Sequence, residues 1–302
     1  MPDLSCNLAG VKLSNPLVLA SGVRGNNAYL LIRAAKEGAG AVTSKSCSIK
    51  VREGHANPTA IMHGDVMLNA IGLSNPGAEE EEKEIANAVR EAGVPVIASV
   101  YGGSAQEFAE AARMVEKAKP AMIELDISCP NVHNEGMMFS SSCEGAEEVT
   151  KAVRKAIAKT MPLSVKLSPN VPNIGEIARA CERAGADCIT AINTMPAMWI
   201  DAHARKAFLA NKYGGLSGPA LKPIALRCVH EIRKNTGLPI IGGGGVTTGM
   251  DAAEMIMAGA TAVSVGSAVC YRKNAFKDIA SELEKFMKEE GYAKLGEMKL
   301  DG

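Results

Sequence analysis

A cysteine stands at the end of a strand-like run, where a thiol can act as base or nucleophile. The stretch is Glu124-Leu-Asp-Ile-Ser-Cys-Pro-Asn131, and its run, 121–127, stops abruptly at Ser128-Cys129-Pro130-Asn131. In a barrel of alternating strands and helices, the C-terminal end of a strand is where chemistry sits. Lys45 and Lys166 each lie near the end of another strand-like run. Lysine is rarely buried without a partner, and two at one mouth suit an anionic ligand or an electron-rich cofactor. Either lysine alone reads equally as a side chain snorkelling to the rim, and a Schiff-base role stays open for both.

Amides form the second group. Asn69, in Asn69-Ala-Ile-Gly-Leu-Ser-Asn-Pro-Gly77, joins Asn131 and the pair Asn193-Thr194. A carboxamide carries a donor and an acceptor in one plane, matching a ring with alternating C=O and N–H edges. Singly, each is an ordinary turn former or cap. Glycines form the third group. Gly242-Gly243-Gly244-Gly245 closes the seventh strand-like run and Gly266-Ser267 the eighth. Loops after the last two strands of such barrels often hold phosphate on backbone N–H groups, and glycine permits the close approach. The five histidines show no metal-ligand spacing.

Eight short runs must position these groups: 16–21, 41–46, 95–101, 121–128, 163–168, 188–194, 239–243 and 262–267. Between them, 27–37, 105–117, 144–159, 174–184, 219–235, 250–258 and 276–290 carry apolar residues at helical spacing. The alternation over 302 residues predicts a single-domain (β/α)8 TIM barrel spanning 1–302. A doubly wound sheet would normally carry Gly-x-Gly-x-x-Gly after its first strand; Ser21-Gly22-Val23-Arg24-Gly25 does not match. Two connections, 47–78 and 195–218, are longer than a barrel needs, which marks them as functional. The acidic run 79–84 reads as the solvated start of a helix.

Composition narrows the function. There are 33 basic and 33 acidic residues, and aromatics are only 4%. Neither nucleic acid nor an acidic membrane surface is the expected partner. The eight cysteines include no Cys-x-x-Cys pair and suit a reducing cytoplasm; Cys181 and Cys228 read as small core residues. No signal peptide is apparent, and no apolar run is long enough to span a bilayer.

Together the motifs resemble the class 1 dihydroorotate dehydrogenases, and within them the NAD-linked 1B catalytic subunits. The markers run along nearly the whole chain: Asn15-Pro16 with Ala20-Ser-Gly22, Ser44-Lys45-Ser46, Asn69 to Gly77, Ile127-Ser-Cys-Pro-Asn-Val132, Val165-Lys-Leu-Ser-Pro-Asn170, Asn193-Thr194, Gly214-Gly-Leu-Ser-Gly-Pro219 and Gly244-Gly-Val246. The resemblance implies bound FMN and oxidation of (S)-dihydroorotate to orotate in pyrimidine (UMP) biosynthesis. By motif, Cys129 is the base for the C5 proton, with hydride passing from C6 to flavin N5. Lys45 with Asn69, Ala70, Ile71, Gly72 and Leu73 would hold the substrate carboxylate. Asn131, Asn193 and Thr194 would read the pyrimidine edge, and Lys166 would sit by the flavin. Ser21, Ser46, Ile192, Gly218, Gly244, Gly245, Gly266 and Ser267 match flavin-contact positions. Class 1B members pair with an electron-transfer subunit holding FAD and a [2Fe-2S] cluster, as a homodimer within a heterotetramer.

This chain departs from the pattern where Asp126 and Ser99 stand in place of the usual Asn, both at expected flavin positions and Asp126 near substrate as well. An arginine common after Asn-Pro-Thr is missing from Asn57-Pro-Thr-Ala-Ile-Met-His63. Ionised, Asp126 accepts hydrogen bonds only, so it could satisfy a ring N–H but not a ring carbonyl. Alternatives are therefore an FMN enzyme for another dihydropyrimidine, a Schiff-base lyase on the same barrel, and an FMN subunit that only relays electrons.

Overall fold

The computed structural model describes residues 1–128 and 139–301. Eight parallel strands close into a barrel: β1 Leu17–Leu19, β2 Ala41–Thr43, β3 Val96–Val100, β4 Met122–Asp126, β5 Leu163–Leu167, β6 Cys188–Ala191, β7 Ile240–Gly243 and β8 Ala262–Val265. All eight predicted runs form these strands. The open-sheet alternative falls with the pairing of β8 to β1, which closes the ring.

Among the described residues, eight longer helices accompany the strands: α1 Ala28–Lys36, α2 Ala78–Glu91, α3 Ala105–Glu116, α4 Cys143–Ala156, α5 Ile174–Arg183, α6 Lys222–Asn235, α7 Gly249–Met257 and α8 Ala275–Glu290, with one further single turn at Ala268–Tyr271. Many begin on a side-chain cap. Asn27, Ser104, Ser142, Asn173 and Thr248 each accept the backbone N–H three residues on, which satisfies a donor the helix itself leaves unpaired. Cys181 and Cys228 are fully buried core residues, as read from the sequence.

The barrel interior is graded along its axis. At the N-terminal end, a hairpin of Cys6–Leu8 and Val11–Leu13 plugs the opening. Its Leu8 and Leu13 pack with Val18, Ala41, Ile97, Met122, Cys188, Ile241 and Ala262 in one dry layer. One turn of the pleat higher, the inward residues become polar. Ser99, Glu124, Ser164 and Thr190 are buried and hydrogen-bonded to one another. Higher still come Asp126 and Lys166, directly paired in register between β4 and β5.

The two long connections build a structure of their own. Strands Ala60–His63 and Val66–Asn69, from the connection after β2, join Met195–Met198 and Tyr213–Ser217, from the connection after β6. They form one four-stranded antiparallel sheet, joined where Gly215 pairs with Asn69. Leu68, Ala70 and Leu209 make a small separate core against this sheet.

The acidic run corrects its reading in part. Helix α2 does start there, and Glu79 and Glu80 are exposed, but Glu81 is fully buried. Neither of its carboxylate oxygens has a hydrogen-bond partner among the described residues. Burial, helped by the nearby Glu84 carboxylate, pushes its pKa up to about 8, with Lys45 pulling the other way. Helical spacing turns Glu81 onto the face that also buries Ile85 and Ala88.

Candidate active site

A cavity of about 490 Å³ opens at the C-terminal mouth of the barrel, a size in the usual range for small-molecule and cofactor sites. It brings together Ser21, Lys45, Ser46, Asp126, Lys166, Ile192, Asn193, Thr194, Gly244, Gly245, Gly266 and Ser267 from seven strand ends, and the 69–73 turn from the added sheet. Cys129 and Asn131 lie outside the described residues; Ser128, just before them, lines the cavity.

Two of the expected residues stand back from it. Ser99 is fully buried below the cavity, its hydroxyl donating to Glu124 at 3.0 Å. Gly218 lines a smaller neighbouring hollow. Its backbone supports Gly245 from behind: a Cβ on Gly245 would lie 2.9 Å from the Gly218 carbonyl oxygen and 2.7 Å from Lys222 N. Gly245 also has φ +80°. Both the crowding and the left-handed backbone require glycine here.

The cavity lining carries charge of both signs. Lys166 is buried and donates from Nζ to Ser21 Oγ at 2.9 Å, crossing from β5 to the end of β1. Lys45 lines the same cavity from the end of β2. On β4, which lies between β2 and β5 in the barrel, Asp126 Oδ1 accepts from Ser128 Oγ (2.6 Å), Ser128 N (3.2 Å) and Asn193 Nδ2 (3.3 Å). Asn193 Nδ2 also reaches Ser128 Oγ at 2.7 Å, and its Oδ1 accepts from Thr194 N at 2.7 Å. Three donors thus converge on one oxygen of Asp126, which holds Ser128 and Asn193 together at the cavity wall.

The 69–73 turn is held rigidly. Leu73 has φ +60°, an uncommon conformation for a residue with a bulky side chain. Its carbonyl accepts from Asn75 Nδ2 at 2.9 Å and Tyr101 Oη at 3.1 Å. Gly72 (φ +78°) lies so close to His55 that a Cβ would come within 2.5 Å of its backbone N. Strain over-determined in this way is typical of a ligand clamp. Tyr101 and Asn75 were not singled out from the sequence. Asn75 sits inside the Asn69–Gly77 motif, but nothing local marks Tyr101, whose role depends on β3 lying beside the turn.

Fold and site define a (β/α)8 barrel with a polar, lysine-bearing cavity at its open end. The family profile described as dihydroorotate dehydrogenase matches residues 3–287, and the chain belongs to that family of oxidoreductases. It is 43% identical to the dihydroorotate dehydrogenase B (NAD(+)) catalytic subunit of Thermoplasma volcanium over 299 residues, covering 99% of this chain and 98% of the relative. The protein of the same name from Pyrococcus abyssi is 43% identical, with 98% and 97% covered. That from Methanocaldococcus jannaschii is 44% identical, with 95% and 94% covered.

Proposed function

We propose that this chain oxidises (S)-dihydroorotate to orotate on a bound FMN, in pyrimidine biosynthesis. The observation that carries the reading is the convergence, on one cavity, of two lysines, a rigid Asn69–Leu73 turn, the Asp126–Asn193 pair and a glycine cradle. The residues fit the cofactor. A phosphate suits the Gly244, Gly245, Gly266 and Ser267 loops, and the buried Lys166 suits an electron-rich ring. When bound, FMN supplies the hydride acceptor. The chain's own residues do the rest. Cys129 removes the C5 proton. Lys45 and the Asn69–Leu73 turn hold the carboxylate, and Asn131, Asn193 and Thr194 align the ring. Electrons leave through a partner subunit toward NAD, as the words "catalytic subunit" and "NAD(+)" in the relatives' names suggest; FAD and [2Fe-2S] in that partner follow from the family resemblance alone.

Anaerobic titration of the purified, FMN-loaded chain with dihydroorotate tests cofactor and substrate together. The visible flavin band is expected to bleach in proportion to the substrate added. A chain that takes up no flavin on reconstitution would overturn the reading. Asp126 motivates one competitor, another dihydropyrimidine such as dihydrouracil. Faster bleaching by dihydrouracil than by dihydroorotate would favour it.

The cradle gives a further expectation. Gly245→Ala forces a Cβ against backbone on two sides. Retention of FMN through gel filtration is expected to fall by about tenfold or more, the equivalent of roughly 1.4 kcal/mol. Unaltered flavin content would remove Gly245 from the phosphate site.

A further inference from the structure

The polar layer beneath the cavity is wired in one direction. Glu124 sits at its centre, buried, with both carboxylate oxygens accepting hydroxyl donors: Ser99 Oγ at 3.0 Å on Oε1 and Thr190 Oγ1 at 3.0 Å on Oε2. Each of those hydroxyls has a second hydroxyl neighbour. Ser46 Oγ lies 2.9 Å from Ser99 Oγ, and Ser164 Oγ lies 2.9 Å from Thr190 Oγ1.

A hydroxyl has a single hydrogen and two lone pairs. Ser99 gives its hydrogen to Glu124, so in its contact with Ser46 it must accept. Ser46 therefore donates downward and has only lone pairs left. The same argument makes Ser164 the donor to Thr190, leaving Thr190 with one lone pair and no hydrogen. Ser46 and Thr190 both line the cavity, whereas Ser99 and Glu124 do not. One buried carboxylate thus sets the polarity of two cavity hydroxyls on different strands. Cooperative chains of this kind strengthen each link in a low-dielectric interior.

We propose that Glu124 is a positioning residue that locks Ser46 and Thr190 as hydrogen-bond acceptors toward the cavity, and that this floor selects a ligand edge bearing a ring N–H. The inference rests on the flavin reading above: oxidised isoalloxazine carries one ring N–H, at N3. Glutamine at position 124 would bring one oxygen and one NH2 group. One of the two hydroxyls would then have to accept rather than donate, and its chain would reverse. Removing the Ser99 hydroxyl breaks only the Ser46 branch.

The test is binding of FMN and of 3-methyl-FMN to the flavin-stripped full chain, followed by fluorescence quenching. The wild-type protein is expected to prefer FMN by about tenfold, the worth of one good hydrogen bond. In Glu124→Gln the preference is expected to shrink to within about threefold, and Ser99→Ala should show a partial loss. A purely structural role would lower the melting temperature of either variant and leave the ratio between the two flavins unmoved. That result overturns the inference. If Glu124→Gln does not fold, Ser99→Ala carries the test by itself. Wild-type protein that binds neither flavin would instead overturn the flavin reading, so the two failures are distinguishable.

Discussion

Replacing Cys129 by alanine is expected to lower turnover of dihydroorotate by about 10²- to 10⁴-fold, the usual contribution of a positioned general base. The flavin content of the purified protein should not change, because the cofactor contacts expected from the sequence are carried by other residues. A thiol ionises near pH 8.5 without perturbation, so modest activation makes it a base at neutral pH. A serine hydroxyl is a far weaker acid. Cys129→Ser is therefore expected to regain activity only as the pH is raised. Steady-state rates between pH 6 and 10, for both variants and the parent, check this. Turnover within a few-fold of the parent at neutral pH would remove Cys129 as the base, which would have to be sought elsewhere.

The second large effect concerns stability. Glu81→Leu is expected to stabilise the protein at alkaline pH, although it removes an acid from a run that looks solvated in the sequence. The ordinary value for this carboxyl is 4.5, and burial raises it to about 8. Below pH 4.5 the folded and unfolded chains both hold the proton, and pH has no effect through this group. As the pH rises from 4.5 to 8, the unfolded chain releases its proton while the folded chain keeps it. Stability falls across that window and levels off above it. The full effect above pH 8 is on the order of 3–5 kcal/mol. Leucine, similar in volume and without a charge to bury, removes the penalty. Thermal melts of parent and variant at pH 5 and pH 9 should therefore diverge, with the larger gain at pH 9. An equal shift at both values would mean that packing, not ionisation, governs the site. Lys45, which attracts Glu81 electrostatically, also lines the cavity, so the variant's Michaelis constant should be measured alongside.

Glu81 also shows where sequence reasoning stopped. The eight barrel strands were legible because runs such as 121–128 and 163–168 are short, rich in aliphatic residues and separated by segments with helical spacing. Lys45, Lys166, Asp126, Asn193 and the glycine loops were legible because strand ends in this architecture all face one way. The four-stranded sheet was not. Its strands, such as Met195–Met198 and Tyr213–Ser217, are rich in methionine, proline and glycine and show no alternation. Met195–Met198 becomes a strand by pairing with Tyr213–Ser217, which in turn pairs with the distant Val66–Asn69. The burial of Glu81, and the retreat of Ser99 one layer below the cavity, depend likewise on what packs above them. Nothing in the strand Met122–Asp126 alone marks Glu124; its importance lies in four hydroxyls drawn from four other segments of the chain.

The pairing of Gly215 with Asn69 constrains how this entrance can be altered. Its rim is a single woven panel made from two distant stretches of chain. Transplanting either stretch alone from a relative would strand its hydrogen-bonding edge and displace Asn69, which contributes both a rung of the panel and a wall of the pocket. Engineering of substrate choice would have to exchange both halves as a matched pair.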